Sequence, residues 1–194
     1  MKKSFWNALL SSESLIEEAK QDSIRMLDAG LEMFHVVLHG MHEEREAGTQ
    51  AKVARMDKAL NNLQRDVRKK VYEHLVISRN RDLVLGLQLT SIVIDLERIG
   101  DYTKNMAELL ELFPEEMNWR PYDRKFESVK KSTLEQFECT RLALADEDEK
   151  AARKMIKRYD KISKTCDGML AELMESQADE PSIEKRFVAL VLII

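Results

Sequence analysis

Turn-forming residues are scarce in this chain: six glycines and three prolines in 194 residues, against a combined ~12% in ordinary globular proteins. Sandwiches and barrels, which turn every few residues, are therefore disfavoured. Cysteine is rarer still. Cys139 and Cys166 are the only two, and neither has the close partner of a CxxC pair, so they read as reduced thiols packed in helices of a cytoplasmic protein. Neither sign of charge dominates, with 31 basic and 35 acidic side chains and a net charge of −4. No face is expected to collect lysine and arginine without acid between them, which argues against a nucleic-acid partner. The longest apolar run, Phe187 to Ile194, is far short of the ~20 residues that span a bilayer. Met1-Lys2-Lys3 and the mixed run after it lack the apolar stretch of a signal peptide.

What the chain has instead is amphipathic periodicity. At 44% hydrophobic and 34% charged, its composition suits long helices, each apolar along one side. A first helix is expected from an N-cap at Ser11 or Ser12 until just before Gly48, with Ile24, Leu27, Leu31, Phe34, Leu38 and Met41 as its stripe. A second runs from Thr49 to Ser78 on Val53, Met56, Leu60, Leu63 and Val67. A third starts near Asn80 and stops before Pro114, carrying Leu85, Leu89, Ile92, Leu96, Ile99, Thr103, Met106 and Leu110. Short connections between long helices imply antiparallel neighbours.

The stretch from Pro114 to Pro121 reads as a connector, followed by helices to about Ala145, from Glu147 to Gln177, and from Pro181 onward. A sparse repeat supports this order. Val53 to Ala59 matches Ile156 to Ile162 at an offset of 103, which pairs Asp57 with Asp160 and Phe34 with Phe137. The expected fold is all-α, two tandem three-helix repeats over residues 1–118 and 119–194, the second truncated in its last helix.

The stretch that carries chemistry is Asp95-Leu-Glu97-Arg98-Ile-Gly100-Asp101, continuing through Lys104 and Asn105 to Glu108. At ~100° per residue Glu97, Asp101 and Glu108 share a second helix face with Leu83, Leu87 and Ile94. Like charges four residues apart cost a helix ~0.2–0.5 kcal/mol per pair, so Glu97 over Asp101 needs a compensating cation. That cation can be Lys104 or Arg98 in a solvated ion-pair face, or a hard metal ion in an oxygen cage. Gly100, inside a helix, marks a close backbone approach.

These residues resemble the signature of the PhoU family of phosphate-signalling regulators: leucine-glutamate-arginine-isoleucine-glycine-aspartate, then an asparagine and a glutamate. The resemblance implies paired three-helix units and metal binding through acidic motifs on the second and third helices of each. Its metal ligands would be Glu97 and Asp101 on the third helix, with Asp57 and the weaker, neutral Asn61 on the second. In the second repeat Asp160 matches but Lys164 replaces the acid, and the counterparts of Glu97 and Asp101 would lie beyond Ile194. The implied cofactor is a divalent or ferric ion (Fe, Mn, Mg or Zn). The implied protein is a non-enzymatic, cytoplasmic, homodimeric adaptor for a phosphate transporter subunit and a sensor histidine kinase. It would meet the membrane only through that transporter. A sodium–phosphate cotransporter as partner, or a plain helical scaffold without metal, are the alternatives.

Other constellations carry less. His35, His39 and His42 share a helix flank, and His35 with His39 could hold zinc, but no third ligand is evident. Glu32 precedes His35 by three, as in di-iron bundles, yet none of His39, His42 or His74 has a glutamate so placed. Nothing resembles a matched nucleophile and base, or a glycine loop that cradles phosphate.

Overall fold

The computed structural model describes residues 2–42, 48–79, 81–112 and 122–175, with side chains of the first helix from residue 15 onward. Five α-helices fill them: α1 (Lys2–His42), α2 (Thr49–Ile77), α3 (Leu83–Leu112), α4 (Asp123–Ala145) and α5 (Glu149–Glu175). The all-α expectation holds, and no strand occurs among the described residues. None of the described helices is long and apolar enough to cross a membrane.

The helix ends of α2 to α5 fall within about three residues of their expected places, but α1 does not begin at Ser11 or Ser12. It starts at Lys2. A serine caps a helix only where the chain before it leaves helical geometry, and neither glycine nor proline lies between Met1 and Ser11 to enforce that. The connector from Pro114 to Pro121, the repeat boundary at 118 and 119, and the sixth helix lie outside the described residues.

The residues group into two compact units, Met1–Phe34 with Ala51–Lys104, and His35–Gln50 with Asn105–Ile194. In the first, α2 and α3 run antiparallel: residues 71 and 75 of α2 approach Gly86, and Leu60 approaches Gly100. Their buried positions recur every seven residues. On α2 these are Val53, Leu60, Val67 and His74, with Asp57 and Val71 between them. On α3 they are Gly86, Val93, Gly100 and Ala107, alternating with Leu89, Leu96, Thr103 and Leu110. Of the expected stripes Val53, Leu60 and Val67 on α2 and Leu89, Leu96, Thr103 and Leu110 on α3 are buried, and the positions between them are displaced, on α3 by one residue. Met56, Leu63, Ile92, Ile99 and Met106 are only half-buried and Leu85 is exposed. The cause is the close approach of the helices, which selects the smallest side chains for the line of contact and pushes the larger ones to its flanks.

In the second unit α4 and α5 form an antiparallel pair, tied by Lys125 to Glu172, by Arg158 to Glu135, and by the Thr140 hydroxyl donating to the Met155 sulfur at 2.8 Å. Asp148 caps α5 through Oδ1, which accepts from the backbone N–H of Lys150 (2.8 Å) and Ala151 (3.1 Å). Phe126, Phe137, Cys139, Ala151 and Met169 are buried here. Both cysteines are free thiols, and burial, then the charge of Asp167, pushes the Cys166 thiol up.

Candidate functional site: an acidic seam between the second and third helices

Asp57 lies on the buried face of α2 between Val53 and Leu60, where an aliphatic side chain is the norm, and is 8% exposed. Across the seam stands Gly100. A Cβ on that residue would run into Leu60 Cδ2 and sit 3.7 Å from Asp57 Oδ1. Gly100 therefore marks a close helix approach, as its place inside a helix implies, and the approach draws α3's acidic face over the Asp57 carboxylate.

A buried carboxylate needs a cation or hydrogen-bond donors. Lys104, one turn beyond Gly100, places its ammonium 3.5 Å from Asp57 Oδ2 and 3.9 Å from Asp101 Oδ1. Asn61 turns its amide nitrogen toward the same Oδ2 at 3.5 Å, as a donor rather than an oxygen ligand. Asp57 Oδ1 is buried without a hydrogen-bond partner. Glu97 completes the group. Burial first, then the negative charges of Asp101 and Asp57, hold its carboxyl above the usual glutamate range, while Lys104 and Arg98 pull it back.

The seam thus brings Glu97, Asp101, Asp57 and Asn61 into one neighbourhood. Among the described residues, no three histidine, cysteine, aspartate or glutamate side chains converge as a ligand set, and the cation that Asp57 and Asp101 share is Lys104. The donor chemistry suits a hard ion nonetheless: carboxylate oxygens, one of them buried with an open valence. Arg98 points elsewhere, donating to the Tyr102 hydroxyl at 2.9 Å and lying 3.6 Å from Asp95. Glu108, His35 and His39 are exposed, and Asp160, the repeat counterpart of Asp57, is exposed as well. The His42 side chain lies outside the described residues.

Two polar contacts were missed in the sequence. Lys70 of α2 reaches α1, 2.7 Å from Asp22 Oδ2 and 3.2 Å from Glu18 Oε2, with Asp22 itself buried. His74, fully buried, lies 3.1 Å from Asp82 Oδ2 at the α2–α3 turn. Lys70 and Asp22 are 48 residues apart, so only the packing of two helices joins them. The polar interruptions at His74 and Asp22 in otherwise apolar helix faces were the available signal.

The sequence compares with known proteins at the same place. Residues 24–110, which hold the α2–α3 seam, match the PhoU domain family. Along 173 residues the chain is 23% identical to the phosphate-specific transport system accessory protein PhoU homolog of Aquifex aeolicus (strain VF5), covering 88% of this chain and 77% of that protein. The segment that holds the antiparallel α2–α3 seam is therefore similar to the PhoU domain, and the described residues have an all-α, PhoU-like fold.

Proposed function

We propose that this protein is a PhoU-type accessory regulator of phosphate transport that acts by protein contact rather than catalysis. The observation that carries the reading is the seam: Gly100 and Lys104 of α3 lie against Asp57 inside the segment that matches the PhoU domain. Its partners would be a phosphate transporter subunit and a sensor histidine kinase, and its place the cytoplasm. A contact surface is available where α2 ends and α3 begins. Tyr72, Val76, Leu83, Val84 and Leu87 are exposed there, Val84 at 70%, more open apolar surface than scattered single residues provide.

In this reading Glu97, Asp101 and Asp57 would hold a hard cation, Fe, Mn, Mg or Zn, with Asn61 beside them. A bound ion would neutralise the acidic face and link α2 to α3. It competes with Lys104, whose ammonium already serves Asp57 and Asp101.

Co-purification of the full chain with membranes that contain or lack the phosphate transporter tests the regulator reading. Retention that depends on the transporter is expected, and identical behaviour with and without it overturns the assignment. Elemental analysis of chelator-free protein, with Tm read on adding Mn²⁺, Mg²⁺ or Fe, tests the metal separately. Metal-free protein with an unmoved Tm discards that part.

A further inference from the structure

The α5 helix carries a feature that the acidic seam does not use. Lys150, Lys154, Lys157, Lys161 and Lys164 fall on one side of it, all exposed. Asp160, at the edge of this side, is the only carboxylate of α5 from residue 150 to residue 164. The expectation that no face collects basic residues without acid between them is thus corrected. Steps of three and four keep the lysines in line on the helix surface, while Glu149 and Asp160 fall to one flank.

An idle charged helix face in this chain looks different. Lys130 pairs with Glu127 at i,i+3 and Lys69 with Glu73 at i,i+4. On α5 the i,i+4 and i,i+3 neighbours are lysine beside lysine, a repulsive arrangement that an added glutamate would relieve. The two arginines of this side are occupied, Arg153 with Glu149 and Arg158 with Glu135. The five lysines make no ion pair among the described residues. In a chain of net charge −4, this is a segregated cationic ridge about 21 Å long, with its charges roughly 5 Å apart.

We propose that α5 is a lipid-facing element, whose lysine ridge docks the chain directly onto an anionic bilayer surface. The chemistry of the ridge favours a membrane over a nucleic acid. Both guanidinium groups, which would grip phosphates in bidentate fashion, are already held by glutamates. Lys150, Lys154, Lys157, Lys161 and Lys164 offer no aromatic platform for bases. Lysines are what a headgroup layer calls for, since their aliphatic stems settle along the interface while the ammonium groups stay hydrated. The stems of Lys150, Arg153, Lys154, Lys157, Arg158 and Lys161 border a shallow hollow of about 400 Å³ on this side. Direct lipid contact goes beyond the expectation that the membrane is met only through a transporter, and it requires no transporter.

Co-sedimentation of the full chain with phosphatidylcholine vesicles, with and without phosphatidylglycerol, is the test. Binding is expected only to the phosphatidylglycerol vesicles, and it falls as salt rises. The triple variant Lys154→Glu/Lys157→Glu/Lys161→Glu should weaken it by on the order of 100-fold. Lys52→Glu/Lys58→Glu/Arg68→Glu, which alters net charge equally at exposed positions of α2, should bind nearly as the parent does. Should the ridge variant lose helicity by circular dichroism, the Lys→Gln triple replaces it and must show the same loss. Equal binding to neutral vesicles, no binding at low salt, or an equal loss in the α2 variant each overturns the proposal. So does tight binding of single-stranded DNA with none to vesicles. Lipid and protein alone decide the outcome, so it is independent of whether a phosphate transporter is the partner.

Discussion

Asp57 and Gly100 face each other across the α2–α3 seam, so closely that a Cβ on Gly100 would lie 3.7 Å from Asp57 Oδ1 and overlap Leu60. The glycine lets the helices approach, and the approach buries the carboxylate. Helix propensity and packing therefore oppose each other at position 100. Alanine is worth ~1 kcal/mol over glycine in a helix, whereas overpacking a filled core costs ~1–3 kcal/mol. Leu60 is fully buried, so it has little room to yield.

Gly100→Ala is expected to destabilise the protein by about 1 kcal/mol net. Gly168→Ala on α5, where a Cβ would meet nothing within 4 Å, should stabilise by ~0.5–1 kcal/mol. Urea denaturation of the two variants checks the pair, and a stabilised Gly100→Ala would show that the seam is loose.

Removal of the Lys104 ammonium leaves Asp57 buried without its cation. Lys104→Met is expected to cost about 1–3 kcal/mol, most of it the penalty of the uncompensated charge. If the acidic group can hold a hard ion, added Mn²⁺ should restore Tm in this variant more than in the parent, because the competing ammonium is gone. Equal Tm shifts in both proteins would mean that Lys104 and metal do not share a seat.

Glu97 gives a pH signature of opposite sign to that of ordinary paired carboxylates. Its folded-state pKa is raised by burial and by Asp101 and Asp57, so its ionised form is disfavoured in the folded protein. Glu97→Gln should therefore stabilise the metal-free chain at neutral pH, where like-charge relief along the helix is worth ~0.2–0.5 kcal/mol. The gain should disappear as pH falls below the ordinary glutamate value of 4.5, where the parent is protonated too. Paired denaturation curves across the acid range decide it.

Lys70 behaves conventionally. Its hydrogen bond to Asp22 raises its pKa above 10.5 against the opposing effect of burial, with Glu18 adding to the rise. The parent's stability advantage over Lys70→Gln should be full below pH 10.5 and lost as pH rises through the elevated folded value. With Asp22 buried, that advantage should be about 1–3 kcal/mol near neutrality. An advantage that grows above pH 11 would contradict the Lys70–Asp22 pairing.

Helix number, order and most helix ends among the described residues were legible in the sequence, because spacing and breakers are local. The Asp95–Glu108 stretch was legible as an acidic face with an oddly placed glycine. The line of contact was not. Apolar periodicity weights the large side chains of Met56, Ile92 and Ile99, yet the seam runs over Val93, Gly100 and Ala107. The beginning of α1 was missed because Ser11 and Ser12 can cap a helix without being obliged to. The α5 ridge was missed because the balanced charge of the whole chain masks a local excess, seven basic side chains against Asp160 alone from residue 150 to residue 164.

By itself the sequence determined that this protein is helical, where its helices α2 to α5 lie, and that an acidic run would need a cation. Those follow from steps of three and four residues, from scarce glycine and proline, and from repulsion between neighbouring carboxylates, all of which act within a few residues. Only the tertiary structure decided that Asp57 is buried, that Lys104 serves it, and that Lys70 reaches Asp22. Those depend on which side of one helix meets which side of another, and that is set by how closely two backbones can approach.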